Sequence, residues 1–254
     1  PAIGLVLLPV LTTFGITEKS PDFATWASLM TSSSLIGTII GAIIFGYLAN
    51  KGRKKFYGVD LLIMTIGAIL EAFVTSPLQL VIVRGLLGIG LGADSVLTPM
   101  IMAEHSNIKD RGKLLSLTGI FFMGGFISAS LIYLALQGLG VSINVLWRIV
   151  LSMGAIPAAS VIYLRRKIPE TPRYILRIQG SISNYENVVK TLTGKNININ
   201  VDGYLKDNVP FTEYFKKFYK VYIPLFLMLF FFNMIPAAST LYGPALIALS
   251  LIHI

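Results

Sequence analysis

Gly46-Tyr47-Leu48-Ala49-Asn50-Lys51-Gly52-Arg53-Lys54-Lys55 joins two long apolar stretches, and its reading decides the fold. Lys51, Arg53, Lys54 and Lys55 put four positive charges within five residues. On either side the chain stays apolar for about 20 residues, the length that crosses a hydrocarbon core. A short basic turn between two such stretches is a loop between membrane spans. Lys and Arg gather in cytoplasmic loops. The second span therefore exits into the cytoplasm here, and the third returns outward.

Composition agrees. Of 254 residues, 54% are apolar and 13% are charged, with mean hydropathy +0.74. A soluble domain carries about 25% charged residues. The net charge of +9 raises the question of nucleic acid, but the cations sit in loops between apolar segments. They read as a positive-inside pattern, so no nucleic-acid partner is expected. There is no cysteine, which excludes disulfides and thiolate metal sites. Two histidines without ligand spacing argue against a metal, and no cofactor is expected.

Span length predicts an all-α membrane protein. Apolar segments fall at 1–16, 24–49, 56–76, 78–103, 114–137, 144–164 and 221–251, with a polar stretch at 165–220. The first lacks the basic n-region of a signal peptide. The chain starts at Pro1 without Met and ends abruptly at Leu251-Ile-His-Ile254, so a fragment is expected. The segments assigned to the cytoplasm, 51–55, 104–113 and 165–220, hold four, three and eleven Lys or Arg, 18 of the 21. The outer loops hold one, Lys19; Arg84 and Arg148 lie within spans. Aromatics and lysines alternate in Phe211-Thr-Glu-Tyr-Phe-Lys-Lys-Phe-Tyr-Lys220, which reads as a helix lying on the inner membrane surface.

Several stretches carry a family resemblance. Gly46–Lys55 is similar to the loop signature between spans 2 and 3 of the major facilitator superfamily. Span 4 reads Arg84-Gly-Leu-Leu-Gly88-Ile-Gly90-Leu-Gly92-Ala-Asp94-Ser-Val-Leu-Thr-Pro99-Met-Ile-Met-Ala-Glu104, followed by Arg111-Gly112. Span 6 ends in Arg165-Arg-Lys-Ile-Pro169-Glu170-Thr-Pro-Arg173-Tyr174. Together these resemble the sugar-porter and phosphate:proton symporter branches, over about 24–180 of the sequence. The resemblance implies a major-facilitator-type helical bundle. Residues 1–164 would form the N-terminal six-helix half, 165–220 the cytoplasmic linker, and 221–254 the first helix of the C-terminal half.

Departures from the phosphate branch bear on substrate. The first-loop Asp of the family is Asn50 here. Where that branch has Tyr after the span-4 Asp, this chain has Ser95. Gly124 stands for a span-5 Gln, Asn233 for a span-7 Asp, and Ala237 for the Tyr four residues on. Asp94 is kept. A wider, less charged cavity for an organic solute is expected, with Asp94, Ser95, Gly124 and Asn233 as substrate-binding or coupling positions.

Physical grounds single out the same carboxylate. Asp94 lies ten residues from both Arg84 and Glu104, about 15 Å along the helix from each. An ionised carboxylate inside a span costs roughly 2.5–3.5 kcal/mol on insertion scales, so it usually lines a polar cavity. Asp94 is the ionisable residue placed nearest mid-membrane, which suits a proton carrier. Gly88-x-x-x-Gly92 and Gly37-x-x-x-Gly41 read as helix-packing motifs. Glu71, Arg84 and Arg148 fall at the outer ends of spans 3, 4 and 6. Such a set avoids unpaired charge in the membrane and is read as structural. Arg53, Glu104, Arg111, Glu170 and Arg173 lie at the inner ends of spans 2, 4 and 6. The resemblance implies a cytoplasmic gate for them. Exposed pairs of this kind are worth about 0–1 kcal/mol each, which is enough to bias two states.

The expected function is a proton-coupled symporter of a small polar or anionic organic solute, in the cell membrane, acting by alternating access. A sugar porter is the alternative within that class. A third reading is a truncated, non-transporting membrane subunit that needs a partner chain or the missing C-terminal half. No nucleophile–base set or phosphate loop appears, so an enzyme is not expected.

The charge pattern makes a test of orientation possible. In a background free of cysteine, Lys195→Cys should resist an impermeant maleimide in intact cells and react after permeabilisation. Labelling in intact cells would overturn the orientation.

Overall fold

The computed structural model of the chain describes residues 2–107, 109–194, 212–213 and 215–231. All regular structure among them is helical. The chain runs through α1 (Ala2–Thr13), α2 (Phe23–Leu48), α3 (Arg53–Phe56), α4 (Val59–Phe73) and α5 (Pro77–His105). It continues through α6 (Arg111–Gly138), α7 (Ile143–Ser152), α8 (Ala155–Lys167), α9 (Pro172–Tyr174) and α10 (Ile182–Thr193). A last helix covers 215–231. Among the described residues, five segments are long and apolar enough to cross a membrane: Phe23–Lys51, Arg53–Phe73, Pro77–His105, Arg111–Gly138 and Ile143–Lys167. They match the second to sixth expected spans. The first is the shorter apolar helix α1, and the seventh is described as far as residue 231.

Local chemistry explains the boundaries. Ser76 caps α5 by accepting a hydrogen bond from the Gln79 backbone N–H at 3.3 Å, and Pro77 fills the first helical position. Gly52 and Gly58 take φ of 138° and 120°, which an L side chain resists, and they set off the short helix of the basic turn. The sixth expected span is two helices, broken at Met153-Gly154. Pro157, the third residue of α8, has no N–H to give to the Met153 carbonyl, so the α-helical ladder is interrupted there. The lysine-rich turn at 216–220 opens a helix that runs unbroken to 231. The surface helix expected over 211–220 is thus continuous, from residue 215, with the next apolar segment, and the helix carries Pro224 in its interior without ending there.

The centre of the bundle is the contact between α2 and α5, which is made at glycine. A Cβ built on Gly37 would run into the Gly85 carbonyl, one on Gly41 into Ile89, and one on Gly92 into Thr38 and Ala42. Gly88 lies against the backbone of Ser34 in the same way. Gly90 looks the other way, onto Asp60 and Met64 of α4. Helices in a membrane gain no hydrophobic drive from each other, so close backbone approach supplies the attraction.

Apolar side chains close the two ends. Val6, Val10, Leu11, Met30, Leu80 and Trp147 pack at the end away from the basic turn. Phe45, Ala49, Tyr57, Ala93, Leu97 and Ile101 pack beside it. In contrast, α6 buries no residue among those described, and Gly124 has nothing within 4 Å of an added Cβ.

This difference yields a paired prediction. Gly92→Val should lower the thermal stability of the detergent-solubilised protein by at least the ~1–3 kcal/mol typical of overpacking. Gly125→Val, on the open face of α6, should melt within about 0.5 kcal/mol of the parent. Equal melting of the two variants would remove the α2–α5 contact as the centre of the fold.

Candidate functional site

The first site forms where α4, α5 and α8 meet. α8 continues to Lys167, so Arg165 falls in its last turn. Arg165 Nη1 lies 2.6 Å from Asp60 Oδ2 and 2.8 Å from Asp94 Oδ1. The guanidinium stacks on the Tyr57 ring, 4.4 Å from its centroid. Asp60 is fully buried, and its other oxygen accepts the Gly58 N–H at 2.6 Å. Asp94 Oδ1 also accepts from Thr98 Oγ1 at 2.6 Å. Asp94 Oδ2 has no hydrogen bond among the described residues, and the side chain is 30% exposed.

Asp94 was read from the sequence as a lone carboxylate. It is half of a shared ion pair. Asp60 and Arg165 escaped sequence reasoning because Asp60 hides in the first turn of an apolar segment and Arg165 counted as a loop cation. One signal was there: opposite charges near the same end of two spans in the same bundle. Ser95 is exposed and donates back to the Gly92 carbonyl at 2.8 Å. Gly124 sits on α6 away from this cluster's contacts, and Asn233 lies outside the described residues.

The second site is at the basic turn. Arg53 grips Glu104 with Nε and Nη2, each at 3.2 Å. Its Nη1 donates to the Ala49 carbonyl at 2.9 Å, and its plane lies 4.8 Å from the Tyr174 ring. Thr171 Oγ1 donates to Glu104 Oε2 at 2.5 Å, and Thr171 Oγ1 also caps α9. Both Glu170 oxygens accept the Lys54 backbone N–H at 3.2 Å. Arg53, Glu104 and Glu170 are therefore brought together, with Thr171 and Tyr174 as partners the sequence reading did not name. Arg111 and Arg173 are not in the cluster. Arg111 Nε and Nη2 are buried without a partner among the described residues, and Arg173 is exposed. On α9 it is Tyr174 that is buried, and Arg173 beside it is exposed.

At the other end, Arg84 Nη1 pairs with Glu71 Oε1 at 3.3 Å, both side chains nearly inaccessible. Arg84 Nε donates to the Met30 carbonyl at 2.7 Å and Nη2 to Ser34 Oγ at 3.2 Å. Arg148 does not reach Glu71. It donates to the Ala72 carbonyl at 2.6 Å and to Asn144 Oδ1 at 3.0 Å, and covers the Trp147 ring. Carbonyls left free at the end of α4 are its acceptors. Glu71, Ser34 and Arg84 border a cavity of about 180 Å³ with Met64 and Leu87.

Three charged residues on α5 are thus each tied to other helices, and comparison with known proteins gives the arrangement a family. A family model described as sugar (and other) transporter matches residues 5–240. Low affinity inorganic phosphate transporter 4 of Medicago truncatula is 34% identical over 179 residues, covering 61% of this chain and 34% of the relative. Inorganic phosphate transporter 1-4 of Arabidopsis thaliana is 36% identical over 173 residues, covering 58% and 32%. The xylose transporter XylE of E. coli, in a partially occluded inward-open conformation, superimposes with TM-score 0.65 at 26% identity over 76% of this chain and 50% of XylE. The chain spans about a third of the length of these phosphate transporters and half of XylE. The chain is a multi-pass membrane protein that belongs to the sugar (and other) transporter family, within the major facilitator superfamily.

Proposed function

We propose that this chain forms the first six-helix bundle, 1–164, the linker, 165–220, and the opening helix, 221–254, of a proton-coupled transporter for a small polar or anionic organic solute. The observation that carries the reading is Asp94. It is a carboxylate within a span, with one oxygen held by Arg165 and Thr98 and the other free. A group that must take and release a proton needs such a free oxygen and partial access to water. The basic turn and the linker lie on the cytoplasmic side of the cell membrane in this reading. Alternating access works by closing the basic end around Arg53 and Glu104, then opening it.

Substrate class follows from the same positions. The phosphate transporters named above are similar over about 60% of this chain. Ser95 and Gly124 are smaller than the side chains of the phosphate pattern, and Asn233 replaces one of its carboxylates. An organic solute suits the extra room. A sugar is the second reading, favoured by the likeness to a xylose transporter. Counterflow of labelled xylose against a labelled organic anion such as lactate separates the two.

Coupling gives the decisive experiment. In cells expressing the protein, Asp94→Asn should abolish gradient-driven accumulation, at least 10-fold, yet leave exchange of internal for external solute. Accumulation that survives in Asp94→Asn would sink the assignment.

The gate gives a second. Glu104→Arg places a cation against Arg53 and removes the acceptor of Thr171. The pair is partly buried, so losing one partner costs more than the ~0–1 kcal/mol of an exposed pair, and the cost falls on the state closed at the basic end. Transport should slow at least 10-fold with normal membrane insertion, and single cysteines at this end should become more reactive. Unchanged transport at every pH would show that the pair gates nothing.

A further inference from the structure

Two carboxylates share one guanidinium between α4, α5 and α8. With every carboxylate ionised, the Asp60–Arg165–Asp94 set carries one negative charge more than it balances, whereas Glu71–Arg84 balances. A net charge held among helices calls for a compensating cation. A single nitrogen, Arg165 Nη1, serves both carboxylates. Asp60 is the fixed partner, fully buried and bonded to the Gly58 N–H. Asp94 is the variable one, with Oδ2 open.

We propose that Arg165 is a positioning residue for Asp94, which it ties to α8 only while Asp94 is charged. This rests on the reading of Asp94 as the coupling group. A proton from water binds Asp94 Oδ2 and forms one O–H bond. The carboxyl is then neutral and its attraction for Arg165 falls. Arg165 stays on Asp60 and on the Tyr57 ring, so α8 keeps its link to α4 and loses its link to α5. α8 is 13 residues long and begins at the Met153-Gly154 break, which provides a pivot for its far end. The proton thereby changes which helices are joined, and not only the charge of the cavity.

The neighbouring charges leave this set isolated. Arg166 and Lys167 are exposed, the first with its stem near Gly58 and the second over the Tyr163 ring. α2 brings no charged side chain and one titratable group, Tyr47. On α6, Arg111 and Lys113 lie in the first turn and Tyr133 near the far end. On α5 itself, Arg84 and Glu104 are about 15 Å away in either direction. Tyr57 faces the set directly, with its hydroxyl beside Thr98.

The test uses the full-length protein in liposomes, with spin labels on cysteines introduced at Asn107, just past the end of α5, and Lys167 on α8, and at Val59 and Lys167, spanning α4 to α8. No solute is needed. As the pH is lowered the α5–α8 distance should lengthen in one step while the α4–α8 distance holds. Asp94→Asn should show the low-pH distance throughout. Asp60→Asn leaves Arg165 undivided on Asp94, so the step should move to lower pH. Asp60→Asn combined with Arg165→Gln removes the fixed carboxylate together with the cation, leaves Asp94 with no tie to α8, and should abolish the step. A step that persists in the double variant, or an α5–α8 distance insensitive to pH in the parent, overturns the proposal. If Asp94→Asn still accumulates solute, the coupling reading has failed. If accumulation is lost but the distances ignore pH, this inference alone has failed.

Discussion

The backbone contact between α2 and α5 is the constraint on which the rest depends. Glycines at 37, 41, 88 and 92 let the two helices touch where a Cβ would strike a carbonyl. That contact fixes the rotation of α5 about its axis. α5 carries Arg84, Asp94 and Glu104 at ten-residue intervals, about 15 Å apart and turned by roughly 80° from one to the next. With α5 held at α2, each of the three must find its partner on a different side. Arg84 meets α2 and α4, Asp94 meets α8, and Glu104 meets α3 and the Thr171 cap of α9.

These ties satisfy the membrane's demand that buried charge be compensated, but not equally. Arg84 spends its donors on Glu71, the Met30 carbonyl and Ser34, and its partner is as buried as itself. Nothing there is left over, which suits a structural role. Glu104 is saturated by Arg53 and Thr171 in a geometry that joins separate elements at the basic end. Asp94 differs from both. Its cation is shared with Asp60 and one oxygen is open, so its energy responds to whatever arrives from water.

The outer faces tell a complementary story. α6 buries none of its described residues, and its apolar side chains Ile120, Phe121 and Phe122 are exposed along it. In lipid such exposure is no penalty, because hydrocarbon replaces water around the side chain. The stability of the bundle therefore resides in α1, α2, α4, α5 and α7, whose small and large side chains interlock.

Much was legible in the sequence. The length of apolar runs, the basic turn at 51–55 and the glycine spacing in spans 2 and 4 determined the helices, their order and which faces of spans 2 and 4 would pack closely, because each depends on neighbours along the chain. Pairings between distant residues were not. That Arg165 would reach past the linker boundary to Asp60 and Asp94, that Arg148 would bind a backbone carbonyl instead of Glu71, and that Arg111 and Arg173 would stand apart from Arg53 and Glu104 all depend on helix rotation. A turn of 100° per residue moves a side chain from one neighbour to another. Only packed helices decide that angle, and here the glycine contact between α2 and α5 decided it.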